Sequence, residues 1–204
     1  MKSKKLLPLS IIALLTVAII YLGVICNPKT NKEANHQVLD LIVAPKGGDF
    51  TIETKDKNLS LADLRGKVVA LYFGYTLCPD ICPTSLAILT QALNQMTEDE
   101  LSEMQSVFIS VDPDRDDVTR LNQYTQYFHA NILGGTAEKA VIDGIIKLYG
   151  AAYQKVENDS AAGYLVDHSS FTYIIDKKGK LRHSLAHGTP PQEVLKVVRE
   201  LLKE

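Results

Sequence analysis

The chain reads as an α/β sandwich with a central mixed sheet, carried behind an N-terminal transmembrane helix. Three observations lead there. Val68–Phe73 is an unbroken apolar run and Val107–Val111 an apolar run interrupted only by Ser110, the pattern of strands buried on both faces. Helix-period segments alternate with those runs, and a hairpin pattern followed by one more helix closes the chain. Finally, Lys2, Lys4 and Lys5 precede an uncharged apolar run from Leu6 to Cys26.

That first run is close to the ~20 residues a helix needs to cross a bilayer. The three lysines predict a cytoplasmic N-terminus and an exported remainder. A cleaved signal peptide is a second reading, but the run is long and lacks a small-x-small cleavage site. A lipoprotein is a third, with Cys26 lipidated, although Ile25 stands where a small residue belongs. All three place the domain outside the cytoplasm, and the run's length favours the uncleaved anchor. Residues 27–35 are polar and aperiodic and form a tether. The division is therefore anchor 1–26, tether 27–35 and domain 36–204, placed on an inner membrane as a single pass with the C-terminal domain on the periplasmic side.

Within the domain, Phe50–Thr54 alternates as a strand and Asp56–Asn58 forms its turn. Ser60 caps a short helical turn over Leu61–Leu64, which Gly66 ends. The buried strand Lys67–Phe73 follows, then a cysteine-bearing loop. Pro83 and Thr84 open a helix running through Ala87, Leu89, Leu93 and Met96. Val107–Val111 is the second buried strand, Asp116–Phe128 a helix, Asn131–Ile132 a short extended piece and Glu138–Tyr149 another helix. Phe171–Ile175 and Leu181–Leu185 make a hairpin around the turn Asp176–Lys180. Thr189 caps a last helix, with Pro190 at its first position and an apolar stripe of Val194, Val197, Val198 and Leu201.

Charge removes one functional class. The lysines put +3 on the anchor, so a chain total of −2 leaves −5 on the rest. A mildly acidic domain without a basic stripe does not bind nucleic acid. The three cysteines, Cys26, Cys78 and Cys82, are too few for a disulfide scaffold. They fit one functional pair and one stray.

That pair is Cys78 and Cys82, spaced CxxxC on the turn after a buried strand. A helix N-terminus favours thiolates, and the four-residue spacing predicts both sulfurs on one helix face. Such a pair can close a disulfide or grip one soft metal ion: Cu(I), Zn(II) or an iron–sulfur centre. CxxxC by itself also fits a structural disulfide. A third ligand comes from the histidines His36, His129, His168, His183 and His187. His168 precedes the strand Phe171–Ile175, in a loop that a thioredoxin-like sheet would place beside the cysteine turn. Alone it reads as a satisfied loop histidine; beside the cysteine motif it becomes a ligand suited to both copper oxidation states. His36 reads as solvated, His129 as a helix cap, and His183 and His187 as surface residues.

The segment Phe73-Gly74-Tyr75-Thr76-Leu77-Cys78-Pro79-Asp80-Ile81-Cys82-Pro83-Thr84 resembles the signature of the Sco/SenC family. Phe108 to Asp116 and Val166-Asp167-His168-Ser169, followed by Tyr173–Asp176, agree in order and spacing. The likeness runs from about Leu59 to the C-terminus. Leu77 departs from it, standing where a histidine is frequent.

The resemblance implies a thioredoxin-like fold, a membrane tether and one copper ion per chain, Cu(I) or Cu(II). It carries the ligand roles to Cys78, Cys82 and His168. It also implies assembly of the copper A site of cytochrome c oxidase, by copper delivery or by reduction of that subunit's thiols. On this reading the protein is a metallochaperone whose redox-active Cys78–Cys82 pair holds or releases the metal. A thiol–disulfide oxidoreductase serving extracytoplasmic redox homeostasis is the alternative. A peroxidase of the peroxiredoxin type would need Thr-x-x-Cys, and Thr76 is one position too close. Asp80 reads as a solvated loop acid, and Asp112, Asp114 and Arg115 as either a loop ion pair or partner contacts.

Overall fold

The computed structural model describes residues 45–157 and 163–204. The predicted anchor and tether, Cys26 and His36 lie outside these residues. No helix among the described residues is long and apolar enough to cross a membrane.

Strand β3 (Val68–Gly74) is the centre of the domain, and all seven of its residues are buried. It pairs in parallel with β4 (Met104–Ser110), and β4 in turn with β5 (Ile132–Thr136). On the other side β3 runs antiparallel to β8 (Thr172–Ile175), which forms a hairpin with β9 (Leu181–Leu185). Beyond β5 lie β1 (Thr51–Thr54) and β2 (Asn58–Ser60), giving the order β2-β1-β5-β4-β3-β8-β9. The sheet is mixed, as the sequence predicts.

Alternation along β3 sends its side chains to two faces. Tyr72 stacks on Phe108 of β4, which meets Tyr124 of helix α3 (Val118–Phe128). Phe73 points the other way, edge-on to Tyr149 at the end of α4 (Lys139–Leu148) and to Tyr173. Helix α1 (Ile81–Leu93) packs against α5 (Pro191–Leu202), burying Leu86, Leu89, Val194 and Val198. Each such aliphatic side chain stabilises the fold by roughly 1.5–3 kcal/mol.

Several local expectations need correction. A short helix α2 (Glu98–Ser102) exists, held by a capping box between Thr97 and Glu100. The Asn131–Ile132 piece is a five-residue strand, β5. Asp116 is not helical; Asp117 caps α3 instead. Thr189 does not cap α5: its hydroxyl bonds to the Ala186 carbonyl, Pro190 is the N-cap and Pro191 starts the helix. The largest difference is a hairpin that the sequence reading treats as loop. Strands β6 (Tyr153–Glu157) and β7 (Tyr164–His168) pair only with each other, as a separate two-stranded sheet. His168 is the last residue of β7.

Candidate metal centre

The cysteine loop leaves β3 at its C-terminal end, where open α/β sheets place their ligand sites. Tyr75 turns the chain, and the Cys78 amide donates to the Tyr75 carbonyl at 3.3 Å. Asp80 is the N-cap of α1, without a side-chain cap bond. Cys82 therefore lies in the first helical turn while Cys78 lies before the helix. The expected arrangement of both sulfurs on one helix face is corrected to a cap-like one. The Cys82 amide donates to Cys78 Sγ at 3.4 Å, so a backbone donor of the helix N-terminus serves the sulfur.

Glycine at position 74 makes room for the second sulfur. A Cβ there would stand 2.7 Å from Cys82 Sγ and 2.8 Å from the Phe108 ring. Cys82 is fully buried and Cys78 is 9% exposed, so only Cys78 is open to another molecule. Both are free thiols.

The hairpin brings His168 back across 86 residues of sequence. Its Nε2 lies 3.2 Å from Cys82 Sγ. Its Nδ1 lies 3.1 Å from the Ser169 carbonyl, which can only accept, so the proton belongs on Nδ1 and the Nε2 lone pair faces the sulfurs. Tyr72 and Tyr75 stand edge-on to the imidazole at 6.1 and 5.9 Å between centroids. The donor atoms of Cys78, Cys82 and His168 lie within 4.8 Å of one another. Ligand bonds of about 2.0–2.3 Å allow donors up to about 4.6 Å apart on one ion. Small adjustments thus suffice for the three to share a metal ion. No other such group occurs among the described residues.

The two thiols are electrostatically unlike. The Cys82 S–H bonded to its sulfur is the main influence that lowers Cys78, to about 4, with His168 and backbone donors adding to it. Burial pushes Cys82 strongly upward, and the adjoining Cys78 charge adds to that. Burial likewise raises the phenols of Tyr72 and Tyr124 beside the pair.

Other acidic residues of the motif have structural roles. Asp116, almost fully buried, accepts from the Thr76 amide at 2.9 Å and from Ser110 Oγ at 2.7 Å, fixing the start of the cysteine loop. Asp112 pairs with Arg115 and Asp114 with Lys155 of β6. Asp80 remains exposed. Among the remaining histidines, His129 is the C-cap of α3, as expected, though through its amide, which donates to the Thr125 carbonyl at 3.2 Å; its Nδ1 accepts from the Asn131 amide. His187 bonds to Ser85 on α1 at 2.9 Å. The positioning roles of Gly74, Tyr75 and Asp116 escape the sequence reading, since each depends on what the fold brings beside it.

The fold and site define a thioredoxin-like domain with a soft, three-donor metal site at the end of its central strand. The chain belongs to the SCO1/SenC family, whose model matches residues 42–203. It is 34% identical over 155 residues to an SCO2-like protein of Rickettsia felis, covering 75% of each chain. Its structure is similar to that of Arabidopsis thaliana ScoI with copper bound, at TM-score 0.69 and 32% identity, covering 78% of this chain and 99% of that one. It is equally similar to Bradyrhizobium japonicum ScoI with copper bound, at TM-score 0.70 and 30% identity, covering 76% and 99%.

Proposed function

We propose that this protein is a membrane-tethered copper-binding protein acting in the assembly of cytochrome c oxidase. The observation that carries the reading is the meeting of Cys78, Cys82 and His168 with donor atoms within 4.8 Å of one another. Two sulfurs and one imidazole suit copper, and relatives of the same fold hold copper. The ligands on this reading are Cys78, Cys82 and His168, with one ion per chain. The family is one of cytochrome c oxidase assembly proteins, which makes the copper A subunit the natural client. The lysine-led apolar segment 1–26 is the anchor in an inner membrane, and residues 27–35 tether the domain on its periplasmic side.

The same pair supports thiol chemistry. The Cys78 thiolate attacks a client disulfide and expels one client thiolate, forming a mixed disulfide. Cys82 then gives up its proton and attacks Cys78, releasing the second client thiolate. The client disulfide is reduced by two electrons and the pair is oxidised by two. The exposures favour this order, because Cys78 is reachable and Cys82 is not. Oxidation also removes both thiolate ligands, so metal is held only by the reduced protein.

His168→Ala tests the assignment. Copper affinity is expected to fall by about 100-fold or more, since losing a residue that merely hydrogen-bonds to a metal ligand already costs about 10–100-fold. Dithiol–disulfide cycling of Cys78 and Cys82 is expected to survive. Unchanged copper affinity would remove His168 from the ligand set.

A further inference from the structure

His168 stands on a hairpin that is no part of the main sheet. Ala152 and Ser169 close the hairpin beside it through two bonds of 2.9 Å, so the hairpin moves as a unit and its contacts with the rest of the domain set where His168 stands. Tyr164, Val166 and His168 share one face of β7, by the two-residue period of a strand. Val166 is buried, and its amide donates to the Tyr75 hydroxyl at 3.2 Å. That bond pins the middle of the strand to the cysteine loop.

Two residues before the pin, Tyr164 is held by the loop after β4. Arg115 Nη1 donates to the Tyr164 carbonyl at 2.9 Å, and the guanidinium lies 3.5 Å from the centroid of the Tyr164 ring. Arg115 Nε donates to Asp112 Oδ2 at 2.5 Å, and the Tyr164 hydroxyl donates to Asp112 Oδ1 at 2.7 Å. Asp112 is fully buried, and these bonds engage both its oxygens. Lys155 of β6, paired with Asp114, also lies over the Tyr164 ring, at 4.5 Å.

His168 lies two residues beyond the pin. The arms from Val166 to Tyr164 and from Val166 to His168 are equal, each about 6.6 Å at 3.3 Å per residue. A strand tilting about Val166 therefore moves His168 as far as it moves Tyr164. Metal–ligand distances tolerate about 0.2 Å, so an ångström of play at Tyr164 is too much for the third ligand. We propose that Asp112, Arg115 and Tyr164 form a latch that sets the position of His168, with Arg115 a positioning residue for metal binding. The loop Ser110–Asp116 thus braces both halves of the site: Asp116 the cysteine loop and Asp112 with Arg115 the histidine strand.

The latch rests on the copper reading, and the test separates the two. Arg115→Lys keeps the charge and loses the fork; Tyr164→Phe keeps the ring and loses the hydroxyl. Each is titrated with Cu(I) against a competing chelator, in the wild-type and His168→Ala backgrounds. In the wild-type background, affinity is expected to fall roughly tenfold, with a shift of the thiolate-to-copper band in the Cu(II) form. In the His168→Ala background neither variant should lower affinity further, because the latch acts only through His168. An equal loss in both backgrounds overturns the latch. In metal-free protein both variants should shift the His168 imidazole NMR resonances and speed amide exchange at Val166. Unmoved His168 resonances overturn the latch whether or not copper binds, whereas a wild-type protein that takes up no copper overturns only the functional reading.

Discussion

Cys78 and Cys82 carry the same side chain in opposite surroundings. Cys78 lies at the rim, served by the Cys82 amide and thiol; Cys82 lies beneath it, cut off from solvent. The pH dependence follows from that division. An ordinary thiol titrates near 8.5, and in the folded protein Cys78 is lowered to about 4. A lowered group binds fewer protons folded than unfolded between those values, so the reduced protein gains stability as pH rises from about 4 to about 8.5. That contribution is complete above about 8.5 and is lost as pH falls through about 4. Cys82, shifted upward, acts in the opposite sense and only above about 8.5. Alkylation of Cys78 in the reduced, metal-free protein should stay level from neutral pH down to about 5 and fall near 4. A midpoint near 8.5 would contradict the assigned surroundings. Both cysteines and His168 were legible as a candidate set in the sequence, because CxxxC after an apolar run and His168 before another are local signals. Which sulfur is reactive was not, since exposure depends on where α1 begins.

At the scale of elements, the site depends on a close approach between β3 and α1. Gly74 permits it, and Gly74→Ala would push a methyl group against Cys82 Sγ and the Phe108 ring. Overpacking of this kind costs about 1–3 kcal/mol. The expected result is a lower denaturation midpoint together with weaker copper binding; a variant as stable as the wild type would show that the strand and helix can part freely. The long apolar strands β3 and β4 were readable because both their faces are buried. Strand β5 was readable only as the short extended piece Asn131–Ile132, because Gly134 and Gly135 weaken the rest of its pattern. Their reason is tertiary: a Cβ on Gly134 would meet the Leu121 carbonyl oxygen at 2.7 Å, and one on Gly135 the Glu53 carbonyl oxygen at 2.7 Å. The β6–β7 hairpin was missed because most of its residues are half-buried or exposed, so it lacks an apolar run. Its alternation from Tyr164 to His168 was the available signal, with Val166 alone fully buried.

Across the whole molecule, sequence-distant segments converge on one small site. The loop after β3 and the first turn of α1 supply the sulfurs, β7 supplies the imidazole, and the loop after β4 holds both sides through Asp116 and Arg115. The order of strands and helices in the sequence was enough to predict the mixed sheet, whereas the brace between the two halves emerges only in three dimensions. On the proposed function, the Cys78–Cys82 pair controls occupancy of a copper site completed by His168. Copper titration of the purified full chain, reduced and oxidised in parallel, tests it most directly. The expected result is one copper per reduced chain, with thiolate-to-copper charge transfer in the Cu(II) form, and no comparable binding once the pair is a disulfide. Equal binding by both forms, or a copper complex without the thiolate band, would contradict it.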